Sequence, residues 1–339
     1  MNHNFQNAIQ RVPQNTPPIW FMRQAGRYHK HYQALRAKHS FEQLCKIPEL
    51  AAEVAMGPIE DFDFDVAILF SDILFPLEGF GMGLEYTDQG PRLEFQLDQK
   101  SINRLGSADQ AVEFMQFQHE AMKITRERLP KNKSLIGFIG GPWTLFVYAV
   151  EGSHAGSLTK SKNLLPLFPL FMEKMLPMLL QNIELQLKGG AETVMIFDTA
   201  AGEVTPMIFQ TYIQPILEKI VQKFPNKVGY YSKHTQKSFF NEDFLTQNWT
   251  GMGFDHRWNL PETMNIRQSG FIQGNFDQSL LFMETADFKK ALADYLIPYK
   301  NLTQEQRAGW VCGLGHGVLP KTPEAHVHLF IETVRKAFA

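Results

Sequence analysis

Two arginines, Arg23 and Arg27, stand four apart in MRQAGRYHKHY (22–32), directly after the apolar run PPIWFM (17–22). A guanidinium is always charged, and its planar fork matches a carboxylate. At the end of a buried strand such a pair reads as a clamp for an acidic small molecule; the plainer alternative is two solvated arginines. Gly26 between them would permit a backbone turn that other residues resist. Asp72, in SDIL after AILF, either caps the next helix or accepts N–H donors and stabilises a developing cation. Close to two arginines it should stay ionised. In GFIGGPWTLFVY, Gly140 and Gly141 would let a ligand approach the backbone, and Tyr148 suits a core as well as a site. His316, between glycines in CGLGHG, could donate to or protonate a ligand. With Cys312 it makes only two of the ligands zinc requires, so no metal is expected. GLGHG could instead cradle a phosphate. Lys233 in YYSKHT could form a Schiff base, but nothing nearby marks it as desolvated, which leaves it as a solvated loop residue.

Positioning these groups requires a scaffold. Short apolar runs recur at 17–22, 66–70, 135–139, 193–197, 227–231, 251–254, 270–274 and 309–314. Near-continuous hydrophobicity over four to six residues fits strands buried on both faces of a parallel sheet. Helical periodicity fills Ala108–Leu129, Leu164–Lys188, Pro206–Phe224 and Pro323–Phe338, and LPETMNIRQ (260–268) is a possible further helix. This alternation, without a linker or compositional break, predicts an α/β fold: a single (β/α)8 TIM barrel spanning 1–339, with 1–15 a short polar N-terminal segment. An open doubly wound sheet is the alternative, weakened because no G-x-G-x-x-G opens a helix after the first strand. A barrel places its chemistry at the C-terminal strand ends. Those ends read RQAGR, SD, GGPWT, DTAAGE, SKH, DHR, NFD and LGHG.

The 33 basic and 35 acidic side chains of the 339 residues give a net charge of −2. That argues against general nucleic-acid or anionic-membrane binding, so positive charge must act locally. Two cysteines, Cys45 and Cys312, form no disulfide framework. With a polar start and no spanning apolar helix, a cytoplasmic location is expected. The 28 phenylalanines are chiefly core material, with some expected around a flat apolar pocket.

Taken in order, PPIWFMRQAGRY, FDVAILFSDIL, GFIGGPWTL with the following Tyr and EG, QGNFD and GLGHGVLP resemble the motifs of the uroporphyrinogen decarboxylase family, from about Thr16 to near the C-terminus. The resemblance implies a (β/α)8 barrel, usually a homodimer. It implies removal of the four acetate carboxyls of uroporphyrinogen III, giving coproporphyrinogen III on the route to haem, with no metal or organic cofactor. By the same resemblance Arg23 and Arg27 bind substrate carboxylates, with Gln24, Ala25 and Gly26 completing that segment. Asp72 accepts the pyrrole N–H groups at the centre of the macrocycle, and Tyr148, Thr199 and His316 touch substrate. The proton donor stays unassigned, with Arg23 or a water near His316 as candidates.

Two stretches depart from the pattern. The family usually follows GRY with Leu-Pro-Glu-Tyr, where this chain has His29-Lys30-His31-Tyr32; GFDHRW replaces Gly-Leu-Asp-Trp. The histidines are expected to add positive potential beside the pocket and to make substrate affinity pH-sensitive between about 6 and 7. Two rival readings are a non-catalytic tetrapyrrole-binding relative and a corrinoid-linked methyltransferase. The methyltransferase would need a zinc–thiolate pattern and cysteines that this chain lacks.

Overall fold

The computed structural model describes residues 1–87, 90–267 and 269–339. Its strands are β1 (Val66–Ile68), β2 (Glu85–Thr87), β3 (Gly90–Arg92), β4 (Ser134–Gly140), β5 (Thr193–Asp198), β6 (Val228–Ser232), β7 (Gly251–Gly253), β8 (Phe271–Phe276) and β9 (Trp310–Leu314). Seven of them form one parallel sheet in the order β1-β4-β5-β6-β7-β8-β9, while β2 and β3 make a separate antiparallel hairpin. Every residue of β4, β6, β7, β8 and β9 is buried, as the unbroken apolar runs require.

The first apolar run, PPIWFM, forms only an isolated parallel bridge, Ile19 to Cys312, where a strand is expected. It nonetheless fills the gap between the sheet edges. On one side the Cys312 N–H donates to Pro18 O at 2.9 Å. On the other, Asp65 N–H donates to Ile19 O at 3.0 Å while Asp65 Oδ2 accepts from Ile19 N–H at 2.8 Å. A carboxylate takes over one rung of the ladder here, so the backbone pattern of a strand is incomplete although the barrel closes. Two consecutive prolines without N–H groups contribute to the same shortfall.

The barrel wall is packed by pairing absent and bulky side chains across neighbouring strands. A Cβ on Gly251 would fall 2.4 Å from the Phe271 ring, so the glycine on β7 makes room for the phenylalanine on β8. Burying that ring is worth about 1.5–3 kcal/mol. The polar N-terminal segment is not a tail: His3–Gln10 forms a helix whose Phe5 packs on Phe271 at 5.4 Å between ring centres. Asn2 caps it, accepting from Phe5 N–H, and its own N–H donates to Ser134 Oγ at 2.9 Å at the start of β4. This helix therefore covers the N-terminal end of the barrel, opposite the predicted chemistry.

Around the sheet, the predicted helix 108–129 divides into Ala108–Phe114 and Gln116–Arg128. The stretch 206–224 carries a π-helical turn, Phe209–Ile213, between Pro206–Ile208 and Gln214–Lys223. The stretch after β7 forms the helix Leu260–Ile266; Gln268 lies outside the described residues.

Candidate active site

Two adjoining cavities open at the C-terminal ends of the strands. The smaller, about 910 Å³, is floored by apolar side chains including Met22, Ile68, Leu69, Phe70, Phe138 and Phe197. The larger, about 1580 Å³, runs outward past Arg23, Arg27 and Arg36 to the hairpin residue Tyr86. They share Arg23, Ala25, Asp72 and Tyr148 along their junction. All nine residues that the family resemblance placed at the site reach these walls: Gln24, Thr199 and His316 the smaller, Gly26 and Arg27 the larger, and the remaining four both.

Arg23 sits in the left-handed backbone region with φ 57°, a conformation that costs a non-glycine residue about 1 kcal/mol or more. The turn expected of Gly26 is thus made by Arg23, and a Cβ on Gly26 would come no closer than 3.5 Å to Arg23 O. The strained residue is held by its neighbours. Gln24 is fully buried; its Nε2 donates to Val66 O at 3.0 Å and its Oε1 accepts from Phe21 N–H at 3.3 Å. Its amide therefore ties the first apolar run to β1, a positioning task and not one of ligand recognition. Gly317 lies under the Arg23 stem, where a Cβ would meet Arg23 Cδ at 2.5 Å. Arg23, Arg27 and Arg36 have no carboxylate within 4.0 Å among the described residues. They form a cationic wall whose charge is not spent inside the protein.

Asp72 follows β1, and its Oδ1 accepts from Leu74 N–H at 2.8 Å. Burial raises its carboxyl above the ordinary value, against the opposing pull of the Leu74 N–H, Arg23 and the Tyr86 hydroxyl. Arg23 opposes that rise only from a distance, since no guanidinium comes within 4.0 Å of the carboxylate among the described residues. An under-neutralised carboxylate facing an apolar floor is suited to meet a cation. The Tyr86 hydroxyl is buried beside it without a hydrogen bond of normal geometry.

Tyr148 projects from the helix Pro142–Glu151, which is aligned by a residue of another strand. Asp198, at the end of β5, accepts from Thr144 N–H at 2.8 Å and Thr144 Oγ1 at 2.7 Å, and Thr144 Oγ1 accepts from Ala200 N–H at 3.0 Å. That network fixes Tyr148 and Thr199 relative to each other. The second oxygen of Asp198 has no hydrogen-bond partner among the described residues, and burial pushes its carboxyl up to about 6. The glycines before the helix admit protein, not ligand: a Cβ on Gly141 would fall 2.3 Å from Asp198 Cβ. Beyond the helix, Tyr148 Oη and His154 Nδ1 are 2.6 Å apart. The Tyr148 phenol is raised to about 12, first by burial and then by Asp72.

His316 stacks on Tyr231, whose hydroxyl donates to Gly315 O at 2.8 Å and lies 3.0 Å from His316 Nδ1. A hydroxyl has one proton. With that proton on Gly315, Nδ1–H of His316 donates to the tyrosine oxygen, and Nε2 is left as an acceptor. Burial, then Arg23 and Lys233, push this histidine down to about 3. It is therefore a neutral acceptor and not the proton donor the sequence suggested.

The HKHY stretch also corrects an expectation. His29 is buried with Nε2 2.6 Å from Asp61 Oδ2, and His31 Nε2 lies 3.1 Å from Glu53 Oε1. Both face the helix Pro48–Phe62, with His31 packed over Gly57, and neither lines a cavity. Wall residues that sequence reading missed include Arg36 on the helix Lys30–Arg36, Tyr86 on β2 and His154. The helical register after Arg27 could have suggested Arg36. Nothing local marked the other two.

The family described as uroporphyrinogen decarboxylase (URO-D) matches residues 1–337. Among curated proteins, a uroporphyrinogen decarboxylase of Geotalea daltonii is 33% identical over 348 residues, covering 99% of each chain. One of Synechococcus sp. (strain JA-2-3B'a(2-13)) is 32% identical over 333 residues, covering 95% of this chain and 93% of its own. Among solved structures, a methyltransferase from Methanosarcina mazei superposes with a TM-score of 0.81 at 15% identity, over 99% of this chain and 98% of its own, a likeness of fold alone. With the ordered motifs at the barrel mouth and full-length matches of this kind, the chain belongs to the uroporphyrinogen decarboxylase family.

Proposed function

We propose that this chain removes the acetate carboxyls of uroporphyrinogen III, giving coproporphyrinogen III and CO2 in porphyrin biosynthesis. The observation that carries the reading is Asp72, a carboxylate without an ion-pair partner among the described residues, at the junction of an apolar cavity and an arginine-walled one. An eight-carboxylate macrocycle needs both environments at once. Its flat apolar body suits the floor made by Phe70, Phe138 and Phe197, and its rim of carboxylates suits Arg23, Arg27 and Arg36.

Loss of CO2 leaves an electron pair that must be accepted. Protonation of an electron-rich pyrrole carbon makes a cationic ring able to take it, so the substrate serves as its own sink. Asp72 would accept the pyrrole N–H groups and favour the cation over the neutral ring, which is stabilisation specific to the transition state. The surrounding apolar side chains strengthen that interaction by excluding water. A methyltransferase reading finds little here: Cys45 and Cys312 lie in separate clusters, and burial raises both thiols well above their ordinary value.

The test is incubation with freshly reduced uroporphyrinogen III, with products oxidised and separated by carboxyl count. Species with seven to four carboxyls are expected; their absence would overturn the reading. Asp72→Asn should still bind substrate but lose turnover by about 10²–10³, the scale of removing one preorganised electrostatic contact. Unchanged turnover in that variant would remove Asp72 from its role. The family's usual homodimer and a cytoplasmic location belong to the same reading, and sedimentation of the purified chain checks the first.

A further inference from the structure

The decarboxylase reading leaves one chemical need unmet. Replacing a carboxyl by hydrogen consumes one proton per CO2, and four acetates require that the donor be reloaded between steps. Most polar groups at the Asp72 junction cannot do this. Asp72 itself is needed as the anionic partner of the ring. Arg23 does not give up its proton. His316 has its one N–H directed at Tyr231 and is too weak a base to carry a second proton. The Tyr86 hydroxyl is buried against Asp72 itself.

Tyr148 differs. It lines both cavities beside Asp72, and its hydroxyl is bonded to His154 Nδ1 at 2.6 Å, with ring centres 5.2 Å apart. His154 in turn lines the smaller cavity yet belongs to an exposed segment of the chain, so the pair spans from the site to bulk water. The short bond engages Nδ1 and leaves Nε2 as the nitrogen open to solvent. The charged groups acting on this histidine are Arg23, Lys233 and Glu203. With burial, the two cations hold its pKa below the ordinary value, so it passes a proton on and does not retain it.

We propose that Tyr148 and His154 form a proton relay, resting on the decarboxylase reading above, that delivers the proton consumed at each decarboxylation from solvent to the substrate. The Tyr148 O–H bond breaks as its proton goes to an electron-rich ring carbon. His154 Nδ1–H restores the phenol while Nε2 takes a proton from water. The carbon–carboxyl bond then breaks, releasing CO2, and its electron pair neutralises the ring cation as an exocyclic methylene. The reloaded Tyr148 gives that methylene its proton, making a methyl group, and the phenolate so formed takes back the first proton from the ring carbon. One proton is consumed per CO2, and no oxidant or reductant is involved. Arg23, whose charge favours the phenolate, stabilises the oxygen while the proton is in transit. His154 thus acts through Tyr148.

The experiment compares His154→Ala, Tyr148→Phe and the double variant with the wild type, on one preparation of uroporphyrinogen III, with and without added imidazole. His154→Ala should lower kcat about 10–100-fold, within the range of acid–base assistance, while KM changes less than about twofold. Imidazole should restore most of that kcat, because it can occupy the vacated space and reload the phenol. It should restore nothing to Tyr148→Phe, and the double variant should be no slower than Tyr148→Phe alone. A wild-type kcat in His154→Ala overturns the relay. So does a loss that imidazole leaves untouched and that adds fully to the loss in Tyr148→Phe. An inactive wild type would instead overturn the decarboxylase reading itself.

Discussion

Gly317→Ala separates the position of Arg23 from its charge. The added Cβ would stand 2.5 Å from Arg23 Cδ, 2.8 Å from Cγ and 3.1 Å from Nε. Comfortable carbon–carbon separation is about 3.5–4.0 Å, so the arginine stem must retreat by roughly 1 Å. The backbone cannot share that movement. Gln24 anchors the next residue to Phe21 and Val66, and Val318 N–H holds Met22 O at 2.9 Å. Gly317 does not have a positive φ, so alanine is compatible with its own conformation. The displacement therefore passes to the guanidinium. A misplacement of about 1 Å can cost up to about 10² in rate, so kcat/KM should fall about 10–100-fold, or about 1.4–2.7 kcal/mol. Arg23 is exposed to the cavities, so the melting temperature should move by only a few degrees at most. The assay is initial-rate decarboxylation with carboxyl-count separation, repeated in an Arg23→Ala background. There Gly317→Ala should cost almost nothing further. A full additional loss in that background would mean that the methyl group obstructs the ligand directly, and the argument about Arg23 would fail.

Asp198→Asn should flatten part of the pH dependence of stability. The folded carboxyl is raised from 3.8 to about 6, so its contribution is fully present below pH 4 and is lost as pH rises through about 6. The full loss is about 3 kcal/mol, of which about 2 kcal/mol falls between pH 4 and 6, so the stability of the Asp198→Asn variant relative to wild type should rise by about 2 kcal/mol over that interval in denaturant melts. His29→Gln with His31→Gln should leave the pH profile of KM between 6 and 7 unchanged, since neither ring faces a cavity. Burial holds His29 below its ordinary pKa, so native stability is present above about 6.5 and lost as pH falls through that value; the double variant should lose less stability on acidification.

The strand periodicity was legible because parallel strands buried on both faces have one compositional signature, and the four-residue run GMGF was enough to mark β7. The first run shows the limit of that signature. Pro17 and Pro18 lack N–H groups and Asp65 occupies a rung, so an apolar segment sits in the barrel wall without completing a strand. In the site, residues directly after strands were found because the fold itself fixes where they point. Tyr86 and His154 reach the cavity from a hairpin and a loop inserted between barrel units, and their approach depends on packing that no periodicity encodes. Gly26 and Gly141 misled for the opposite reason. A glycine's freedom is visible in sequence, but whether a turn, a carboxylate or a ligand uses it is decided by its neighbours in space.

Net charge was uninformative about the site for a related reason. The chain is balanced to −2, yet its cations are not equally neutralised. Lys133 and Arg335 pair with Asp63, Lys46 with Glu78, Arg126 with Glu192, and Arg257 with the buried Asp255. The two histidines of HKHY meet Asp61 and Glu53. Opposite charges are thus matched at these points, while Arg23, Arg27 and Arg36 face the cavity with no carboxylate within 4.0 Å among the described residues. In a cavity the arginines are less screened than on an open surface, so an anionic ligand gains there what a solvated surface arginine would lose to salt and water. A protein of no net positive charge can then select a polycarboxylate without collecting nucleic acid or anionic lipid.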